Sequence, residues 1–280
     1  MEPPYVIVKD PNGKGNDNYE GFMIELLQKI SEKAKFTYRI TLAPDGKYGA
    51  EETRGQWTGM IGEVMKQRAD LAAAPMTVSA ARREVIDFTE PYMTFHTTIL
   101  MKTSPAKDGD DISSVEDLVN QSEVKYGLLT DGITENFFKY TSNALYRKMW
   151  RAIQRDQTVK ASTVAEGVQR VRDSDGKYAF IMESSTAEYW VNRAPCNLKT
   201  FGRISELHYG LVIAKGSPLK IRLNSAISAL VESGEIERLK TKWWNGDQEC
   251  SAPSGAGPVA AAKLGAVVLL GLALTYTSVY

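Results

Sequence analysis

The sequence predicts an α/β protein, and three observations carry that reading. Short apolar runs of strand length at 70–74, 125–129, 178–182 and 211–214 alternate with longer segments whose apolar residues recur at helical spacing. Several of those helical segments open on residues suited to satisfying the free amides of a first turn. The chain's 280 residues, 43% of them hydrophobic, are also enough for two lobes with a core each.

In chain order, 21–34 (GFMIELLQKISEKA) sets Met23, Leu26, Leu27 and Ile30 on one helical face. The next segment, 36–42 (FTYRITL), alternates with period two and reads as a strand, which gives a β-α-β unit. The apolar runs at 70–74, 125–129, 178–182 and 211–214 lack polar alternation and read as buried strands. Helices are predicted at 163–172, 184–192, 219–233 and 235–243. Capping-box spacing occurs at Ser113 with Glu116, Thr163 with Glu166, and Ser185 with Glu188. No internal repeat is visible, and low complexity is confined to the region after Cys250.

Composition removes several function classes. Lys and Arg number 34 against 34 Asp and Glu, and no basic stretch exceeds two residues. A nucleic-acid binder needs a clustered cationic face, so no nucleic-acid partner is expected. His96 and His208 lie far apart, and the two cysteines form no CxxC, so neither a metal site nor a cofactor is predicted. GxSxG, GxxxxGK[ST], GxGxxG and HExxH are all absent, so the chain is not read as an enzyme. Glu183 is the one base that a crevice enzyme of this kind would offer.

The ends read differently from the body. The start, MEPPYVIV, has no basic or long apolar region of the signal-peptide kind and reads as truncated or engineered. After the small-residue linker 251–258, residues 264–280 form 17 uncharged positions around LGAVVLLGLAL. A span needs about 20 apolar residues, which leaves three readings: a clipped membrane helix, which is preferred, a cleavable lipid-anchor tail, or an appendage.

One polar cluster interrupts otherwise apolar sequence. Pro75, Thr77 and Ser79 follow the run at 70–74, then come Arg82 and Arg83, and Val85, Ile86 and Phe88 resume the core. Such a junction offers a carbonyl, a hydroxyl and amides beside an arginine able to fork onto a carboxylate.

These residues also carry a family resemblance. Tyr19-Glu20-Gly21-Phe22, DGKYGA (45–50), GQWTGMIGEV (55–64), the stretch 69–91, FIMESSTAEY (180–189) and KTKWWNGDQEC (240–250) resemble the ligand-binding domain of ionotropic glutamate receptors, closest to the AMPA/kainate branch. The resemblance implies a bilobed clamshell of the periplasmic-binding-protein type II kind. Lobe 1 would be 1–103 plus 210–250, lobe 2 would be 104–209, and 251–280 would be a linker and truncated membrane-like tail. Two chain crossings would make the hinge.

The resemblance also implies a site. Arg82 and the amide of Thr77 would take an amino acid's α-carboxylate, and the Pro75 carbonyl, Thr77 hydroxyl and Glu183 carboxylate would take its ammonium. Tyr48 would cover the ligand and Tyr209 would hold Glu183. Gly132, Ile133 and Thr134 would open a helix toward a distal carboxylate, where free amides and the positive dipole end suit an anion. L-Glutamate is the leading ligand, with glycine, alanine or serine as the alternative. Ile133 puts bulk where relatives carry a small residue, and Val164 replaces a Thr expected to bridge to Glu20.

By the same resemblance, Cys196 and Cys250 form a disulfide, which points to an oxidising, extracellular setting, as the sequon at Asn120 does weakly. The family's pore helices would lie after residue 102, but only TSPAKDGDD (103–111) intervenes. The chain is therefore expected not to conduct ions itself. Its expected setting is the extracellular face of a plasma membrane, soluble as an isolated chain, dimeric through lobe 1 and tetrameric in a full receptor. The alternative from another class is a soluble amino-acid-binding protein without channel activity.

Overall fold

The computed structural model describes residues 2–10, 12–103, 112–130, 132–246 and 250. The connection predicted to replace a pore and the tail at 251–280 lie outside the described residues. Residues 1–250 form one compact unit.

Strands β1 (Ile7–Val8) and β2 (Tyr19–Glu20) pair antiparallel and lead into α1 (Phe22–Ala34). The helix buries Phe22, Met23, Leu26, Leu27 and Ile30 as its spacing predicts, and ends on Lys35 in the left-handed conformation. The strand predicted at 36–42 does not form. The segment runs without a β-ladder, and the Asn16 side chain donates to the Tyr38 carbonyl at 2.8 Å and accepts from the Ile40 amide at 2.8 Å. Period two prepares a segment for pairing, but here a side chain satisfies the backbone in place of a neighbouring strand.

A hairpin of β3 (Glu51–Thr53) and β4 (Gln56–Trp57) precedes α2 (Gly59–Met65). Then come β5 (Leu71–Ala72), α3 (Ala80–Val85), β6 (Ile86–Phe88) and the long β7 (Met93–Lys102). The next stretch holds α4 (Val115–Asn120), β8 (Lys125–Leu128), α5 (Ile133–Tyr140), α6 (Ala144–Arg155) and α7 (Val164–Asp173). It continues through β9 (Tyr178–Glu183), α8 (Ser184–Val191), β10 (Leu198–Phe201) and β11 (Glu206–Tyr209). The last elements are β12 (Val212–Ala214), α9 (Leu219–Glu232) and α10 (Glu235–Asn245).

Two sheets organise these elements. One has the order β10-β7-β9-β8, with β8 and β9 parallel and β11 pairing the first half of β7. The other is antiparallel in the order β5-β12-β6. The apolar side chains sort into three cores. The first surrounds the second half of β7 with β8, β9, α4, α6 and α7, and includes Ile99, Leu100, Phe180 and Ile181. The second packs α1, α9 and α10 against Met93, Phe95 and Tyr209, and the third joins Trp57, Ile61, Met76, Ile86 and Val212. Strand β7 therefore feeds the second core with its first residues and the first core with its last.

Two predicted caps move. The box that opens α4 is Ser114 with Asp117, not Ser113 with Glu116: Ser114 Oγ accepts from the Asp117 amide at 3.0 Å while the Asp117 carboxylate accepts from the Ser114 amide at 2.9 Å. Ser185 lies inside α8, whose N-cap is Glu183, and its hydroxyl is used elsewhere. Thr163 does cap α7, accepting from the Glu166 amide at 3.1 Å.

Cys196 and Cys250 are joined in a disulfide across 54 residues, with Cα atoms 5.4 Å apart. Close by, Trp244 is buried and its indole N–H donates to the Ser185 carbonyl at 2.6 Å, tying α10 to α8. Among the described residues no helix is long and apolar enough to cross a membrane, and no group of three or more His, Cys, Asp or Glu could hold a metal ion.

Candidate functional site

Arg82 lies in the first turn of α3, whose N-cap is Ser79, and its side chain turns inward, leaving the residue 9% exposed. Its guanidinium donates to the Thr77 carbonyl at 2.9 Å and to the Gly49 carbonyl at 3.2 Å. No carboxylate among the described residues lies within ion-pair distance of it. A guanidinium carries five N–H donors, so this buried cation holds donors beyond the two bonds it makes. Burial lowers its pKa from the ordinary value, and the Glu183 charge works in the opposite direction.

Thr77 owes its orientation to a single antiparallel bridge with Tyr209. The flanking bonds run from Val78 N–H to the His208 carbonyl at 2.9 Å and from Gly210 N–H to the Met76 carbonyl at 3.1 Å. Thr77 and Tyr209 are thus a non-hydrogen-bonded pair, whose own backbone groups turn away from the partner while their side chains meet closely. The Thr77 carbonyl reaches Arg82 for this reason. Its N–H turns to the same side, and two residues earlier lies the buried Pro75.

The two side chains of that pair converge on one carboxylate. Thr77 Oγ1 donates to Glu183 Oε1 at 3.1 Å, and Tyr209 OH donates a short bond to Glu183 Oε2. Tyr209 is itself fully buried, stacked on Phe95 with centroids 4.0 Å apart, and bonded to Ser185 Oγ at 3.0 Å. Glu183 ends β9, where it pairs antiparallel with Thr97 of β7, and is the N-cap of α8, so the strand pairing sets its position. Burial pushes its pKa up to about 7, with the Glu2 charge adding to the rise and the bonds from Tyr209 and Thr77 and the Arg82 charge opposing it.

Tyr48 is held by the 45–50 loop, which is fastened to the start of α2. Asp45 accepts from the amides of Lys47 at 3.0 Å and Gly59 at 2.8 Å, and Met60 and Ile61 donate back to the carbonyls of Lys47 and Tyr48. Two glycines make this close approach possible. Gly59 has φ +60, and a Cβ there would sit 2.4 Å from the Lys47 carbonyl; Gly49 has φ +124, and a Cβ there would sit 2.6 Å from Ile61.

The sequence reading missed one participant. Glu2 accepts from Tyr48 OH at 2.9 Å and from Thr186 Oγ1 at 3.4 Å. Burial raises its pKa above the usual carboxylate range. Its position just before Pro3 and Pro4 carries no local signal for a site role.

Arg82, Thr77, Glu183 and Tyr209 form one hydrogen-bonded and charge-coupled group, and Tyr48 adjoins it through Glu2. Gly132, Ile133 and Thr134 stand apart from that network among the described residues. Gly132 is the N-cap of α5 and offers no side-chain cap, so the first-turn amides of Ile133 and Thr134 remain unclaimed by it. Thr134 is buried and Ile133 half-buried. The bridge considered between Glu20 and position 164 has no counterpart: Glu20 pairs with Ile7 in β2, whereas Val164 packs on the first core. Glu20 instead lines a surface cavity of about 710 Å³ with Tyr19, Phe36, Tyr38 and Trp243. That cavity lies away from the Arg82 group, which is drawn in upon its own hydrogen bonds.

Comparison with known proteins finds similarity in sequence. The family described as "Ligated ion channel L-glutamate- and glycine-binding site" matches residues 1–105. Glutamate receptor 3 of Mus musculus is 28% identical over 377 aligned positions, covering 90% of this chain and 42% of the relative. Glutamate receptor 3 of Homo sapiens is 28% identical over 380 positions, covering 91% and 42%. In sequence, the chain is thus similar to these two glutamate receptors.

The chain spans about two fifths of the length of these glutamate-receptor relatives. The aligned span of 377 positions exceeds the chain's own 280 residues, so the mouse receptor carries residues inside the matched region that this chain lacks. Tyr48, Pro75, Thr77, Arg82 and Glu2 fall within the family match at 1–105, while Gly132, Ile133, Thr134, Glu183 and Tyr209 lie beyond it.

Proposed function

We propose that this chain is the extracellular amino-acid-binding domain of a ligand-gated ion channel, a receptor module and not an enzyme, with L-glutamate as its ligand. The observation that carries the reading is Arg82, a buried guanidinium that, among the described residues, bonds the carbonyls of Thr77 and Gly49 and no carboxylate. A buried cation without a counter-ion is costly, and a ligand carboxylate received in bidentate fashion supplies one. Glu183, beside Thr77 and the Pro75 carbonyl, then receives the ammonium, so the group reads a zwitterion. Tyr48 covers the ligand and Tyr209 fixes Glu183. The amides of Ile133 and Thr134 behind Gly132 receive a distal carboxylate.

The module is a clamshell with lobe 1 formed by 1–103 and 210–250 and lobe 2 by 104–209. Supporting this are the separate apolar cores and the passage of β7 from one to another. Agonist bridges the lobes and stabilises closure by binding the closed state more tightly. In a full receptor, closure pulls on pore segments that this chain lacks. There the lobes 1 pair as dimers within a tetramer.

A second reading has a specific basis. Ile133 brings a β-branched side chain to the distal position, which favours glycine or another small amino acid over glutamate. Calorimetric titration with L-glutamate and glycine tests both readings. Binding of glutamate supports the distal site, binding of glycine alone overturns it, and binding of neither overturns the amino-acid reading.

A further inference from the structure

Ser185 stands one step behind the residues assigned to the ligand. It lies in the first turn of α8, two residues past Glu183, is 3% exposed, and holds its Oγ 3.0 Å from the Tyr209 hydroxyl. A tyrosine hydroxyl has a single proton, and Tyr209 directs it to the Glu183 carboxylate. Ser185 is therefore the donor toward Tyr209, and the bonds run one way, from Ser185 to Tyr209 to the charged Glu183. The Ser185 backbone is held separately, since its carbonyl accepts from the Trp244 indole N–H at 2.6 Å.

We propose that Ser185 is a positioning residue for amino-acid binding: its hydroxyl aims the Tyr209 proton at Glu183 and so keeps Glu183 available as the charged acceptor of a ligand ammonium. The inference rests on the reading of Glu183 as that acceptor. A hydrogen bond that ends on a carboxylate charge is roughly twice as strong as a neutral one, and each donor behind it polarises the next. Once Glu183 carries a proton that charge is gone, so loss of the Ser185 hydroxyl falls mainly on the charged form. Besides Tyr209, the titratable and charged groups facing Glu183 are Glu2, Arg82, Tyr5, Tyr48 and Tyr92. Burial already holds the Glu183 pKa at about 7, so a modest further rise alters binding within the neutral range.

The test is calorimetry with L-glutamate, or with glycine should glutamate not bind, on wild type, Ser185→Ala and Ser185→Thr from about pH 5 to about pH 8.5. Affinity should fall toward acid as Glu183 takes up a proton. In Ser185→Ala this acid limb should lie about half a pH unit or more higher, with affinity near pH 8.5 within about twofold of wild type. Ser185→Thr keeps the hydroxyl and should reproduce the wild-type limb. His96 and His208 are common to all three proteins, so the difference between their profiles reports on Glu183. The proposal is overturned by an unmoved limb in Ser185→Ala, by an affinity lowered alike at every pH, or by a limb in Ser185→Thr displaced as far as in Ser185→Ala. Wild type that binds neither ligand overturns the amino-acid reading, and wild-type binding without an acid limb overturns the Glu183 reading; the proposal falls with either. Should Ser185→Ala fail to fold, Ser185→Cys, a weak donor of similar size, is judged by the same rule.

Discussion

Thr77 donates to the Glu183 carboxylate across 106 residues of sequence, at 3.1 Å. The bond joins the turn before α3 to the end of β9, so the residues around the two ends of the candidate site are held together before any ligand arrives. Glu183 lies in surroundings that favour its neutral form, with burial as the main cause and the Thr77 bond working against it.

A pH dependence follows with a definite sign. Glu183 has its folded-state pKa raised from 4.5 to about 7, so the folded protein binds more protons than the unfolded chain between those values. Stability of the ligand-free protein should therefore fall as pH rises from about 4.5 to about 7, by up to about 3 kcal/mol. Urea unfolding at several pH values should show that slope, and Glu183→Gln should flatten it. A ligand ammonium favours the charged carboxylate, so binding near pH 6 should release protons, which calorimetry in buffers of different ionisation enthalpy would register.

Gly49 offers a second test. Its φ of +124 and the 2.6 Å approach of a would-be Cβ to Ile61 leave no room for a side chain, and its carbonyl is one of two that hold Arg82. Gly49→Ala should cost about 1–3 kcal/mol of stability and weaken amino-acid binding by displacing that carbonyl. Wild-type stability and affinity in the variant would contradict the loop's assigned part.

How much of this was legible in the sequence differs by element. The helices α1, α7, α8, α9 and α10 fall within two residues of their predicted bounds, because amphipathic spacing over two or more turns is a strong local signal. The strand expected at 36–42 failed because pairing is non-local: nothing in FTYRITL reveals that Asn16, 22 residues before Tyr38, satisfies its backbone. The cap at Ser114 was missed by one residue because Ser113 and Ser114 both precede an acid at the required spacing. Arg82, Thr77, Glu183 and Tyr209 were named from the resemblance and meet in space. Glu2 was invisible because its role depends on Thr186, 184 residues away.

The cap correction is itself testable. Ser114→Ala removes a hydroxyl that accepts from the Asp117 amide and should cost about 1 kcal/mol. Ser113→Ala should cost much less, and equal losses in the two variants by thermal unfolding would contradict the assignment.

The Cys196–Cys250 disulfide closes 54 residues. In the chain-entropy account its removal costs about 4 kcal/mol, or a melting temperature lower by roughly 10 °C. Comparing the oxidised protein with a Cys196→Ser/Cys250→Ser double variant measures this, and equal melting temperatures would show that the cross-link adds nothing to stability.

The central claim is that Arg82 awaits a ligand carboxylate, and Arg82→Ala tests it most directly. With folding verified by circular dichroism, calorimetry against L-glutamate and glycine should show affinity reduced by about a hundredfold or more, because truncating one partner of a buried charged pair costs about 2–5 kcal/mol. Undiminished affinity for either amino acid in the folded variant would contradict the account.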